Sequence, residues 1–376
     1  MRAVYVAADN IYSPIGSTTG ENLANLKKNI SGIKEHTDIA LSPIPFYASL
    51  FAPQQVPVTK NNFTKFEQLL IQSISNAMEA TGLKSNDPKT ICILSTTKGN
   101  ISLLESSDSD QTTHSNISLH SSAKKIAEHF SFAHTPVVVS NACISGILAL
   151  LTAMRLIQSG TYDHAVVAGA DTITKFILSG FQSFQAVSAR PCKPFDAERD
   201  GINLGEAAAT IILSADEKYR GITIGGGATS NDANHISGPS RTGEELFIAI
   251  KKALKQANLA ESDIDFISAH GTATLYNDEM EAKAITLAGM QSVPVNSLKG
   301  FYGHTLGAAG IIESIVCIHS LKENIIYPTL GYETHGVPVP LNIANTLHTA
   351  PLKNILKTAS GFGGCNAALI IQKHLN

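Results

Sequence analysis

Short runs of β-branched and other apolar residues alternate along the chain with longer stretches of helical periodicity. Apolar runs of this length, rich in Val and Ile, are typical of strands. The predicted strands are Ile91–Leu94, Val137–Val139, Ala165–Val167, Thr210–Leu213, Ile264–Ile267, Val293–Val295 and Ala367–Ile371. Strands that alternate with helices of ten or more residues indicate a layered α/β architecture.

Two segments share one plan, in which a strand leads through a turn into a helix. In the first, a strand at 137–140 precedes a helix that ends near Gln158; in the second, a strand at 293–296 precedes a helix from Leu306 to about Leu321. The first helix is apolar on nearly every face, which is typical of a buried helix. The second begins with small residues that let another backbone come close. We therefore predict two central helices, and the shared plan hints at an internal duplication.

The stretch 106–122 (SSDSDQTTHSNISLHSS) is rich in Ser, Thr, Asp and His between two periodic segments. Such composition is typical of a loop, and most long loops are solvated connections. We interpret it as a surface loop, with a lid over a site as the less favoured alternative.

Length and charge narrow the class of protein. The chain has 376 residues, of which 43% are hydrophobic and 16% charged, so it can bury more than one core layer and we expect two lobes of similar size. Its net charge of −3 lacks the basic excess with which proteins bind a phosphate backbone. Nucleic acid is therefore not an expected partner.

Cysteine usage and hydropathy indicate a soluble, cytoplasmic protein. The five cysteines form no CxxC pair and are odd in number, so we expect free thiols. The histidines include no HExxH motif and none lies at ligand spacing from a cysteine pair, so no metal is expected. The first ten residues form no apolar signal segment, and the longest apolar stretch, 144–157, is interrupted and too short to span a bilayer.

Three side chains lie at predicted strand ends or strand-to-helix corners. Cys143 precedes the buried helix, where unpaired backbone N–H groups and the helix dipole favour a thiolate. His270 follows the strand at 264–267, and His304 lies at the next such corner. A lone cysteine in an apolar run is more often a core residue, and a lone histidine is seldom catalytic. Their shared position makes these three the candidate active site.

Five motifs resemble those of the β-ketoacyl-acyl-carrier-protein synthases, the elongating branch of the thiolase superfamily. They are SNACISG around Cys143, KPFDAERDGINLGEAAA at 193–209, SAHGTATLYNDEMEA at 268–282, NSLKGFYGHTLGAAG at 296–310 and SGFGGCNAALI at 360–370. They occur in the family's order and spacing, and an early YSPIG at 12–16 extends the resemblance nearly from end to end.

The resemblance implies a role for each matching residue. Cys143 resembles the nucleophile that accepts an acyl group from a carrier-protein thioester. His270 and His304 resemble the pair that binds the malonyl thioester carbonyl and stabilises the enolate formed by decarboxylation. Lys299 matches the lysine that supports them electrostatically, and Glu281 matches the acid that helps to fix the lysine network.

Three further residues match substrate-facing positions of the family. Phe362 resembles the gating aromatic, whose backbone N–H joins that of Cys143 as an oxyanion hole. Thr272 and Thr274 match the threonines that contact the pantetheine arm. The reaction needs such parts, because loss of CO₂ generates a carbanion without a strong base and preorganised N–H donors stabilise the enolate.

The resemblance also implies the fold and the partners. The fold is thiolase-like α/β, with two related lobes at 1–218 and 219–376, each with a mixed five-stranded sheet, stacked in five α-β-α-β-α layers. The partners are an acyl carrier protein and a second synthase chain, in a homodimer or a heterodimer. No metal or organic cofactor is implied, since the phosphopantetheine belongs to the carrier.

Three positions depart from the family pattern and leave the acyl-chain preference open. Ile144 stands where a small residue is common, so it could narrow the acyl pocket. Ser360 replaces an aromatic residue, and Asn203 replaces an apolar one.

Two other functions are alternatives to a condensing enzyme. A thiolase would use a second cysteine such as Cys365, which we interpret instead as a packed core thiol. A non-catalytic chain-length partner would lack Cys143.

Overall fold

A computed structural model describes residues 2–58, 63–105, 115–233 and 238–374. The strands are β1 Tyr5–Tyr12, β2 Lys34–His36, β3 Phe46–Ser49, β4 Thr90–Ser95, β5 Val137–Val139, β6 His164–Asp171, β7 Leu204–Gly205, β8 Ala207–Ser214, β9 Ile222–Asn231, β10 Phe266–Ser268, β11 Pro294–Asn296, β12 Ile325–Ile326, β13 Asn342–Ile343, β14 His348–Thr349, β15 Asn354–Gly361 and β16 Cys365–Lys373. The helices of the described ranges are α1 Thr19–Lys27, α2 Lys65–Glu79, α3 Leu119–Phe130, α4 Ser145–Gln158, α5 Lys175–Ser183, α6 Glu244–Ala257, α7 Leu275–Leu287, α8 Lys299–Tyr302 and α9 Ala309–Glu323.

The main sheet consists of two halves with the same strand order. One half runs β1-β8-β6-β4-β5 and the other β9-β16-β15-β10-β11, with β13 added at the edge. In each half the first two pairings are antiparallel and the next two are parallel. The halves join through a single pair, Tyr5 with Thr223, so the two expected five-stranded sheets form one sheet of 11 strands. This repeat agrees with the internal duplication that the sequence hints at.

Helices α4 and α9 lie between the two halves of the sheet and contact both. They cross at glycines: a Cβ on Gly146 would lie 2.9 Å from the backbone nitrogen of Ile311, and one on Gly310 would lie 2.7 Å from that of Ile147. Helix α2 covers the outer face of the first half, and α6 covers that of the second. The result is the expected α-β-α-β-α layering, with the two predicted central helices in its middle layer.

Several expectations need correction. Strands β1, β9 and β15 were not predicted, because polar residues or glycines interrupt their apolar runs. The strand predicted at 264–267 begins only at Phe266, after a short 3-10 turn. Helix α3 begins at Leu119, so the loop predicted over 106–122 ends earlier, and its residues 106–114 lie outside the described ranges. No helix in the described part of the chain is both long and apolar enough to cross a membrane.

Candidate active site

Three separate corners of the fold bring Cys143, His270 and His304 together. Cys143 precedes α4, His270 lies two residues beyond β10, and His304 follows α8. All three are buried, and their sulfur and ring nitrogen atoms lie within 4.8 Å of one another. The two rings are 5.1 Å apart between centroids and nearly perpendicular, at 83°. The three residues singled out at strand ends therefore share one site.

A strained turn presents Cys143. Ala142 has a φ of +43°, a conformation that a residue with a Cβ rarely adopts. The Ser145 hydroxyl holds this turn, since it accepts a hydrogen bond from the Asn141 N–H at 2.8 Å and donates to the Ala142 carbonyl at 2.7 Å. Burial raises the pKa of Cys143 to about 12, against the expectation that the helix N-terminus favours a thiolate. The resting nucleophile is therefore a thiol.

Both imidazoles are neutral. Burial and the nearby Lys299 cation hold the pKa values of His270 and His304 well below the usual 6.5. His304 Nδ1 accepts a hydrogen bond from the Leu306 N–H at 3.3 Å, so the ring proton is assigned to Nε2. Nε2 has no hydrogen-bond partner among the described residues, and His304 lines the cavity beside Cys143. His304 therefore offers an N–H donor to a bound oxygen.

Residues of β7 and of the loop that precedes it hold the backbone of His304. Its N–H donates to the carbonyl of Asn203 at 2.7 Å, and its carbonyl accepts from the Gly205 N–H at 3.0 Å. The Asn203 side chain also accepts from the Cys192 N–H at 2.6 Å. The unexpected asparagine in this motif thus ties the loop before β7 to the site.

Lys299 is fully buried and forms an ion pair with Glu313 of α9, not with Glu281. Glu281 instead accepts hydrogen bonds from the backbone N–H groups of His270, at 2.8 Å, and Gly271, at 2.6 Å. The expectation that Glu281 fixes the lysine is therefore wrong. Helix α7 follows the His270 loop directly and carries Glu281 beneath it, where its carboxylate orients the histidine backbone.

Sequence reasoning missed two charged residues of this site. Glu313 is the only acidic residue in the apolar segment AGIIESIVCIHSL at the start of α9, and that isolation is a usable signal. Lys357 lies within the unpredicted strand β15, and its side chain is fully buried. Its ammonium lies 2.7 Å from Glu313 Oε2, so one carboxylate faces two lysines.

Phe362 separates two cavities that meet at Cys143. One, of about 90 Å³, also contains both histidines, Thr272 and Thr274. The other, of about 250 Å³, is almost entirely apolar. Its lining includes Phe176, Ile177, Phe181, Phe184 and Leu306. The Phe362 ring stacks on Phe181, with centroids 5.6 Å apart, and the Phe362 backbone partly offsets the burial that raises the pKa of Cys143.

The remaining predicted residues have clear structural places. Thr272 and Thr274 share a hydrogen bond of 2.8 Å between their hydroxyls at the mouth of the smaller cavity. Ile144 packs in the core and does not line the apolar cavity, so it does not narrow that pocket. Ser360 lines the mouth and donates to Asn366 Oδ1 at 2.7 Å.

One cysteine and two histidines are side chains that could also hold a transition metal. A metal would bind Cys143 as the thiolate and displace its proton. A buried thiol, a free N–H donor and an adjacent apolar cavity fit covalent acyl transfer better. Cys365 lies near the nucleophile, but its thiol donates to the Phe362 carbonyl at 3.4 Å, which suits a packed thiol.

Comparison with known families gives two adjoining matches. The model described as beta-ketoacyl synthase, N-terminal domain, matches residues 1–218. The model described as beta-ketoacyl synthase, C-terminal domain, matches residues 221–333. The first match alone covers more than half of the chain.

Individual relatives point in the same direction. The 3-oxoacyl-[acyl-carrier-protein] synthase 2 of Rhizobium meliloti is 35% identical over 63% of this chain and 60% of its own length. A putative polyketide beta-ketoacyl synthase 1 of Streptomyces cyaneus is 33% identical over 66% of this chain and 63% of its own. The chain thus spans less than two thirds of either relative. The solved ishigamide ketosynthase/chain length factor is 26% identical and covers 100% of both chains with a TM-score of 0.90.

Proposed function

Because the chain belongs to the beta-ketoacyl synthase family, we propose that it condenses an acyl group bound to Cys143 with a malonyl group on an acyl carrier protein. The observation that carries this proposal is the buried cluster of Cys143, His270 and His304, in which the His304 Nε2–H is unpaired within the part of the chain that the structure describes. An enolate oxygen needs such a donor in a site from which water is excluded.

The first step is acyl transfer. The Cys143 sulfur attacks the thioester carbonyl of the acyl carrier, the carbon–sulfur bond to the carrier breaks, and the thiol proton leaves with the carrier thiol. The backbone N–H groups of Cys143 and Phe362 are the proposed oxyanion hole. Support comes from the position of Phe362, which lines both cavities together with Cys143 and whose backbone acts to lower the pKa of that thiol.

The second step is decarboxylation and condensation. The malonyl thioester loses CO₂, and the electron pair forms an enolate whose oxygen accepts from His270 and His304. The enolate carbon attacks the acyl carbonyl on Cys143, and collapse of the adduct expels the sulfur, which takes up a proton. Neutral histidines suit this step because they donate to the enolate oxygen without protonating its carbon. Lys299 stays paired with Glu313 and supports the imidazoles electrostatically.

The cavities suggest where each part of the substrate lies. The apolar cavity beyond Phe362 suits an alkyl or polyene chain, and the smaller one, with Thr272 and Thr274 at its mouth, suits a pantetheine arm. No metal or organic cofactor takes part in the proposed reaction, since the carrier brings the phosphopantetheine. From the names of the relatives, the proposed reaction elongates a fatty acid or a polyketide chain.

We also propose a dimer, with a second copy or with a related synthase chain. Phe176 and Phe184 are each 56% exposed although they line the apolar cavity. Val137, on the edge strand β5, is also exposed. Exposed aromatic side chains and an edge strand with exposed apolar residues are each typical of a surface that another subunit covers.

The test is intact-protein mass spectrometry with a panel of acyl carrier proteins, followed by malonyl carrier protein. We expect an acyl adduct that Cys143→Ala abolishes and that Cys92→Ala, a buried cysteine of β4, retains. Malonyl carrier should then discharge the adduct as a carrier-bound product two carbons longer. Absence of an adduct with every acyl group would overturn the proposal and favour the non-catalytic partner.

A further inference from the structure

Lys357 is a buried cation that the proposed reaction does not use. It lies in β15, between β10 and β16, and its side chain is fully buried. Its ammonium donates to the carbonyls of Ser268 at 3.2 Å, Ala269 at 3.1 Å and Thr358 at 2.7 Å. All three ammonium protons thus have acceptors within the protein, so Lys357 has none left for a substrate.

Two of these acceptors immediately precede His270. Because β10 ends at Ser268, the Lys357 ammonium holds the segment through which the strand delivers His270 to the site. On the other side of that segment, Glu281 accepts from the His270 N–H. The histidine backbone is therefore fixed from α7 and from β15 together.

Lys357 also changes the charge of the site. It lies 2.7 Å from Glu313 Oε2 without the alignment of a hydrogen bond, while Lys299 pairs with Oε1 of the same carboxylate. Taking a lysine out of water is costly unless its charge is compensated, and here one anion serves two cations. A leucine or methionine would fill this strand position without that cost. The buried charge therefore needs a functional explanation.

We propose that Lys357 is a positioning residue for decarboxylation: it fixes the approach to His270 and adds a second cation beside the two histidines. This inference rests on the proposed condensing function. It concerns only the second step, since Lys357 acts through His270 and Glu313 and contacts no reacting atom.

The electrostatics support the geometry. After burial and Lys299, Lys357 is a further cause that lowers the pKa of both imidazoles. The titratable and charged groups around the histidines are Cys143 before α4, Asp171 at the end of β6, Asp232 after β9, Asp278 and Glu281 on α7, Lys299 on α8, Glu313 on α9 and Lys357 on β15. Removal of Lys357 takes away one positive charge, so protonation of the imidazoles becomes easier.

The experiment measures CO₂ release from malonyl carrier protein as a function of pH, in the full chain with its carrier. Lys357→Met and Lys357→Gln remove the charge, and Lys357→Arg keeps it. Lys373→Met, on the neighbouring strand β16, is the matched control because its ammonium donates to the Leu321 carbonyl away from the histidines. The two uncharged variants should release CO₂ about tenfold to a hundredfold more slowly than the wild type. As the pH is lowered, their rate should also begin to fall at a higher pH than the wild-type rate does.

The pH profile separates positioning from mere folding. The acidic limb of the profile is the fall in rate at low pH. Lys357→Arg and Lys373→Met should both keep it at the wild-type pH. An acidic limb that stays at its wild-type pH in both uncharged variants would overturn the inference. If neither uncharged variant folds, Lys357→Arg decides, since a shifted limb with the charge intact would contradict it. Failure of wild-type CO₂ release would instead refute the proposed function.

Discussion

Gly146 lies where the central helices α4 and α9 cross, and replacing it tests whether the crossing leaves room for a side chain. Replacement by alanine would put a methyl group 2.9 Å from the Ile311 nitrogen and 3.0 Å from the Gly307 carbonyl oxygen. Both atoms belong to backbone, so no rotamer change relieves the contact, and the helices must move apart. Overpacking of this kind costs about 2–3 kcal/mol. Alanine regains about 1 kcal/mol through its better helix propensity, which leaves a net loss of about 1–2 kcal/mol.

Gly20→Ala is the matched control. Gly20 lies in α1, and a Cβ there would have no heavy atom within 4 Å. This substitution should stabilise the protein by about 0.5–1 kcal/mol. The two variants should therefore differ by about 1.5–3 kcal/mol in the free energy of unfolding, measured by urea denaturation with unchanged slope. If Gly146→Ala proved as stable as Gly20→Ala, the close crossing of α4 and α9 would be refuted.

Three further predictions concern the site. His304→Ala should still form the acyl adduct on Cys143 but lose CO₂ release from malonyl carrier protein, whereas His319→Ala, remote from the site, should keep both; full condensation by His304→Ala would refute the assignment of two histidines. Wild-type CO₂ release should stay constant between about pH 7 and pH 6, because the pKa values of His270 and His304 lie well below 6.5 and both stay neutral as pH falls; a loss centred near 6.5 would contradict this. Glu313→Gln should destabilise the fold by about 3–5 kcal/mol in urea, because it leaves two buried lysines without their anion; a change below 1 kcal/mol would show that the pairing is unimportant.

The central helices and the reactive corners were predictable from the sequence because local pattern decides them. The segment 144–158 is apolar around its whole circumference, and only a central layer buries every face of a helix. Strand ends in parallel arrangements meet at one edge of a sheet, so His270 and His304, which follow β10 and β11, had to lie close together. Position in the chain was enough for these residues.

Pairings between distant segments were not predictable. Glu281 and Glu313 are both glutamates in helices that follow a histidine corner, and the sequence offers no way to decide which one meets Lys299. The answer depends on how α9 crosses the middle layer, which tertiary packing determines. The protonation of Cys143 is similar: the helix N-terminus favours the thiolate, but complete burial has the larger effect and raises its pKa.

Lys357 is a charged residue that makes a buried strand hard to predict from the sequence. The segment ILKTASG has a lysine and two hydroxyl residues where a buried strand normally carries apolar side chains, so its periodicity predicts nothing. In the fold, β15 nevertheless lies between β10 and β16, and the lysine finds three carbonyls and a carboxylate inside the protein. Two lysines beside two neutral histidines create positive potential without placing a proton on either imidazole. The enolate of the proposed reaction needs that combination, because a protonated imidazole would quench the carbanion that loss of CO₂ creates.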